Sequence, residues 1–218
     1  MTDKASKNLE GPSRLGWELV DPRSTQEENP YTFFVPSEAE KNALVGGDLV
    51  KLIFESCDPN GGSVERMWVI YRDRDENGWY GQLDNEPFDI EGLSRGDEIH
   101  FKDFNIVGVW DTKIDSMDDE DRYFARCHVD QRIIDGSARI GRLERRKPKW
   151  FWWWQRKHQR FSDTGWHIFA EDNSTHKSAK MSYLAIGVVL NKDDSYLRLL
   201  DAPVGACLVR NGNEFHLG

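Results

Sequence analysis

Residues 142–169 read RLERRKPKWFWWWQRKHQRFSDTGWHIF, and this stretch limits the folding of the chain more than any other. It holds Trp150, Trp152, Trp153, Trp154 and Trp166, five of the nine tryptophans. From 142 to 160 there are eight Lys and Arg against one acid, Glu144. Tryptophan is seldom left in water without a partner, because its ring carries a large apolar area and one N–H donor. A strand through 150–154 would set Trp150, Trp152 and Trp154 on one side and Phe151 and Trp153 on the other. One core cannot bury both sides. Three readings stay open: a long hairpin packed on its own chain, a protein-recognition surface, or a stacking platform for single-stranded nucleic acid. Trp and Arg dominate binding hot spots, and cations suit an acidic partner. Rings interleaved with cations also suit unpaired bases.

Charge divides the chain in two. Residues 1–121 carry 12 basic and 28 acidic side chains, a net of −16, and residues 122–218 carry 17 and 10, a net of +7. Such asymmetry predicts two units with different surfaces. The overall charge of −9 argues against nucleic acid as the partner. No apolar run approaches the roughly 20 residues of a membrane span. The polar start, 1–14, reads as a flexible tail without the apolar core of a secretory signal, so a cytoplasmic protein is expected. Cys57, Cys127 and Cys207 form no CxxC pair, which fits a reducing compartment and predicts no metal site.

Periodicity predicts an α+β fold: two small sheet-rich domains, mostly antiparallel, with a few short helices. The first domain spans 15–112. Ser37 and Glu40 are spaced as a capping box for a short helix, and 26–30 reads as loop. In 48–54 (DLVKLIF), Leu49, Lys51 and Ile53 alternate with Val50, Leu52 and Phe54. Strands are also expected at 66–72, 79–83, 97–101 and 106–110, with turns at 58–62 (DPNGG) and 75–78. Residues 113–122 form an acidic linker, and the second domain spans 123–218 with an insertion at 147–161. There, strands are expected at 124–129, 138–145 and 166–170, and a hairpin at 206–217. The run 180–190 fits both strand and helix, and 193–195 can cap a short helix over 196–200.

No residue pattern announces catalysis. The six histidines show no HExxH or His/Cys ligand spacing, and there is no Gly-x-Ser-x-Gly elbow and no phosphate-cradling glycine loop. His167 lies four residues after Asp163 but reads as a half-buried strand residue. Neither a cofactor nor a metal is expected, and the chain is read as a non-enzyme.

Two resemblances add to this. Glu65-x-Met67-Trp68-Val69, Gly81-x-Leu83-x-Asn85-x-Pro87, Gly92-Leu93-x-x-Gly96-Asp97 and Ile106…Trp110 resemble an uncharacterised bacterial domain of the YegJ-like type over roughly 30–111. Gly136…Gly141 with Arg145, Asp163-x-Gly165-Trp166-x-x-Phe169, Leu199-Leu200-x-Ala202-Pro203-x-Gly205 and Phe215 resemble the thirty-third immunity-protein family of bacterial polymorphic toxin systems, over roughly 124–218. Members of that family usually carry a short acidic spacer before Asp-x-Gly-Trp, whereas 147–161 is longer, basic and aromatic. The resemblance implies a protein that binds a cognate secreted toxin domain and neutralises it stoichiometrically. The contact residues expected are Trp150, Trp152, Trp153 and Trp154 as anchors, with Arg156, Lys157 and Arg160 as steering cations. Asp118, Asp119, Glu120 and Asp121 are the alternative face for a basic toxin. The rival function is a non-enzymatic regulatory or nucleic-acid-associated module using the basic Trp-rich stretch.

Overall fold

Period-two alternation builds both halves of the chain. The computed structural model describes residues 16–58, 62–110, 117–147, 161–171 and 180–218. The chain divides into two units, one of Met1–Glu27 with Val35–Ile114 and the other of Glu28–Phe34 with Asp115–Gly218. Each holds a six-stranded sheet.

In the first unit, strand Trp17–Leu19 (β1) leads to helix Arg23–Glu28 (α1). This helix takes in 26–28 of the loop expected at 26–30, and the chain leaves helix at 29–30. The Asp21 side chain accepts from the Arg23 N–H at 3.1 Å, and Pro22 supplies the first helical carbonyl, to Gln26 N–H at 2.9 Å. Pro22 stands just before the first helical residue, where the N–H that proline lacks would have no intrahelical partner. Helix Glu38–Asn42 (α2) begins as expected, with Ser37 Oγ accepting from Glu40 N–H and Glu40 Oε2 from Ser37 N–H.

Strands Leu49–Ser56 (β2), Val64–Asp75 (β3), Gly78–Leu83 (β4) and Glu98–Phe101 (β5) follow in antiparallel order, and Gly108–Val109 (β6) pairs with β2. The expected alternation in β2 holds: Val50, Leu52 and Phe54 are fully buried with Met67, Val69, Leu83 and Ile99. Each such side chain contributes about 1.5–3 kcal/mol, so a one-residue slip of register would be heavily penalised. The turn expected at 58–62 lies partly outside the described residues.

In the second unit, helix Met117–Phe124 (α3) takes in 117–122 of the stretch read as an acidic linker, and 113–116 lie outside the described residues. Strand Arg126–Asp130 (β7), helix Gln131–Ile134 (α4), strand Ile140–Arg145 (β8) and strand Asp163–Ala170 (β9) follow. The α4 turn is capped by Asp130, whose carboxylate accepts from Arg132 N–H. The ambiguous run 180–190 is both things in turn, strand Met181–Ala185 (β10) and then helix Ile186–Leu190 (α5). A single 3-10 turn, Leu197–Leu199, stands where a short helix was expected. Ser195 folds back on Asp193 and caps nothing. Strands Cys207–Asn211 (β11) and Glu214–Leu217 (β12) close the chain as a hairpin.

The sheet order is β10-β7-β9-β8-β11-β12; β7 and β9 run parallel and every other pair antiparallel. On one face Cys127, Val129, Ile140, Leu143, Trp166, Ile168 and Leu208 form a core with Ile186, Val189, Leu190, Tyr196 and Leu200. Burial pushes the Cys127 thiol up to about 12, which makes it a packing group. Glu28–Phe34 belongs to this unit although strands of the first unit's sheet lie on both sides of it in sequence.

Candidate partner-binding face

The residues behind the immunity-family resemblance hold the second unit together. Arg145, ending β8, donates through Nη1 to the carbonyls of Leu200 at 3.0 Å and Ala202 at 2.5 Å. Its own N–H donates to Ala206 O at 2.9 Å, and its carbonyl accepts from Gly205 N–H at 2.7 Å. Trp166 lies beneath its guanidinium, 5.7 Å away, and donates Nε1–H to Leu200 O at 3.2 Å. Asp163 accepts from Gly165 N–H at 2.8 Å, and Gly165, with φ +76°, turns β9 where a side chain would be strained. These positions knit the 200–206 loop to β8 and β9, so the motif describes a scaffold.

Strand alternation turns a different set outward. Across five strands, the paired residues Tyr183, His128, His167, Glu144 and Cys207 form one row. The rings of Tyr183 and His128 lie 4.8 Å apart, and those of His128 and His167 stack at 4.6 Å. Glu144 pairs with Arg142 at 3.0 Å and Arg146 at 2.6 Å, and both guanidiniums cover the Phe169 ring, at 4.8 and 5.6 Å. Tyr183 on β10 and Val209 on β11, 40% and 42% exposed, keep these strands open to contact. Rigid aromatic rings beside paired arginines offer stacking area and directed donors at little entropic loss, as a protein-binding face requires.

This face adjoins the tryptophan stretch in the chain. A shallow hollow is lined by Glu144, Arg145, Arg146, Lys147 and Val204 to Cys207. Lys147 is the last described residue before 148–160, and Phe161 resumes the chain with its ring 5.3 Å from Phe124. Trp150, Trp152, Trp153, Trp154, Arg156, Lys157 and Arg160 lie outside the described residues. Asp118, Asp119, Glu120 and Asp121 all lie on α3, with Asp121 exposed. The sequence reading missed the His128–His167 stack, whose members meet only through the parallel β7–β9 register. The one available signal was that each sits at an outward position of a strand.

Among the described residues no three His, Cys, Asp or Glu converge to hold a metal ion. Burial is the main cause that holds the His167 imidazole below its ordinary value of 6.5, while its Nδ1 lies 3.2 Å from Gly165 O. A histidine kept neutral by the fold binds its proton more readily when unfolded, so stability contributed above pH 6.5 is lost as pH falls through the depressed value. The urea midpoint of the second unit is therefore expected to fall between pH 7.5 and pH 5. In His167→Asn that fall should be smaller; an unchanged pH profile would show that His167 is not the group responsible.

Comparison with known families places both units. Residues 127–216 match the family described as Immunity protein Imm33 domain. This match falls on the second unit and covers the motifs around Arg145 and Trp166. Residues 29–116 match the family described as an uncharacterized protein conserved in bacteria (DUF2314), which bears out the first resemblance. No curated protein and no solved structure matches the chain. Among the described residues no helix is long and apolar enough to cross a membrane.

Proposed function

We propose that this chain is a cytoplasmic immunity protein that binds a cognate antibacterial toxin domain and neutralises it by stoichiometric occlusion, without turnover. The immunity-protein domain at 127–216 carries the reading. The outer face of its sheet supports it by offering Tyr183, His128 and His167 beside the Arg142, Arg146 and Glu144 network. Occlusion needs no catalytic group. It needs charge complementarity for fast capture and a few buried aromatic anchors for slow release. Trp150, Trp152, Trp153 and Trp154 are the anchors in this reading, with Arg156, Lys157 and Arg160 steering an acidic toxin surface. Asp118, Asp119, Glu120 and Asp121 on α3 serve if the toxin surface is basic.

The test is co-purification of the tagged full chain from cells that also express the neighbouring gene products, followed by titration calorimetry on the recovered toxin domain. One toxin per chain is expected, and Trp152→Ala with Arg156→Glu should weaken the complex about a hundredfold, the combined effect of two hot-spot losses. A complex indifferent to that double change moves the interface to the acidic residues. Protection that persists with the chain far below the toxin in concentration would reveal turnover and sink the occlusion mechanism. RNA in the eluate that is lost steeply with salt, and no toxin, would favour a nucleic-acid-associated module.

A further inference from the structure

The segment after β4 displays a phenylalanine that the first unit's own core does not use. Phe88 is 89% exposed, the highest value for a large apolar side chain among the described residues. Its backbone is nonetheless held firmly. Glu65 on β3 accepts from the Phe88 N–H through both carboxylate oxygens, at 3.0 and 3.1 Å, and from the Asp89 N–H at 2.8 Å. Upstream, Asn85 Oδ1 accepts from Trp68 N–H at 2.5 Å and Asp84 N–H donates to Trp68 O at 2.9 Å. Downstream, Ile90 and Leu93 are buried in the core. An exposed ring gains nothing from burial in the free protein, yet both flanks of this one are anchored. A ring carried on a backbone fixed in advance gives up only its own rotamer freedom when a partner closes over it, which favours its use as a binding anchor.

Charge identifies the partner. Residues 84–91 carry four acids, Asp84, Glu86, Asp89 and Glu91, and no base. The neighbouring cation Arg95 is already paired with Asp84 at 2.7 Å. Such a rim repels phosphate and anionic headgroups, so a nucleic acid or a lipid surface does not fit it, whereas a basic protein surface does. We propose that Phe88 is a second toxin-binding anchor: it seats in an apolar socket within a basic patch of the toxin domain, while Glu86, Asp89 and Glu91 steer the approach. This rests on the immunity reading and adds to it a role for the first unit.

The experiment titrates the full chain with the toxin domain identified by co-purification, comparing the parent, Phe88→Ala, and Glu86→Lys with Glu91→Lys. Phe88→Ala should bind about thirtyfold or more weakly with an unchanged melting temperature, as loss of an aromatic anchor predicts. The double lysine variant should associate more slowly and with a weaker dependence on salt. A parent complex matched within twofold by Phe88→Ala overturns the proposal and leaves the immunity reading intact. A parent chain that binds no toxin domain overturns both.

Discussion

Trp166→Ala is expected to lower the stability of the second unit by about 3–5 kcal/mol, the range for deleting a fully buried tryptophan. The side chain is 1% exposed and sits on β9, between the parallel neighbour β7 and the antiparallel neighbour β8. Its removal opens a cavity beneath the Arg145 guanidinium and deletes the Nε1–H bond to Leu200 O. That carbonyl still receives Arg145, so the loss is chiefly packing. Urea unfolding is the measurement, with Trp166→Phe as the graded comparison, since it keeps most of the ring and loses the donor. Because native stabilities are only about 5–15 kcal/mol, a loss of that size removes a large share of the stability of the second unit, and the toxin binding proposed for it should weaken in parallel. A loss below about 1 kcal/mol would contradict the central place given to Trp166, since cavity formation alone exceeds it.

Gly187→Val is expected to lower stability by about 2–3 kcal/mol, at the upper part of the range for overpacking, and to release the segment Glu28–Phe34. A Cβ at 187 would stand 2.4 Å from the carbonyl oxygen of Tyr31 and 3.1 Å from that of Tyr123, so backbone crowds it from two sides. The segment is otherwise well bound. Asn191 Oδ1 accepts from Tyr31 N–H at 3.0 Å, and its Nδ2 donates to Thr32 Oγ1 at 2.7 Å. The Tyr31 ring packs edge-on against Tyr123 at 5.1 Å, and Phe34 reaches both Tyr123 and Phe124. Tyr31 also reports on its own seat: burial, with the hydrogen bond to Asp194, pushes its phenol up to about 12. Ultraviolet titration of Gly187→Val should return that phenol toward 10, and limited proteolysis should cut at 28–34 before the sheet unfolds. A phenol that still titrates near 12 in the variant would mean that the segment tolerates the added side chain.

Where the information was local, the sequence was legible. The Ser37 and Glu40 spacing predicts a capping box because both hydrogen bonds lie within one helical turn, and both form. Alternation predicts that Val50, Leu52 and Phe54 share one side of β2, since neighbouring side chains must point to opposite sides, and the structure makes that side the buried one. The run 180–190 resisted assignment because it satisfies one period and then the other. The switch at Ala185 is set from outside, by the Ala125 carbonyl that accepts the Ile186 N–H at 2.8 Å. Helix α3 was hidden because an acidic stretch reads as solvated linker until its aromatic end, Tyr123 and Phe124, finds Tyr31, Phe34 and Phe161.

By itself the sequence determined two sheet-rich parts of opposite charge and the alternation of side chains along their strands. Both follow from composition and side-chain periodicity, whereas the motif around Arg145 and Trp166 was legible only through the family resemblance, and its scaffold role only in the structure. Only the tertiary structure decided that β7 and β9 pair in parallel, which sets Tyr183, His128, His167, Glu144 and Cys207 in one row, and that Glu28–Phe34 packs against α5 and α3. Both depend on partners distant in the chain, where loop closure and long-range register choose the neighbour and no local preference records the choice.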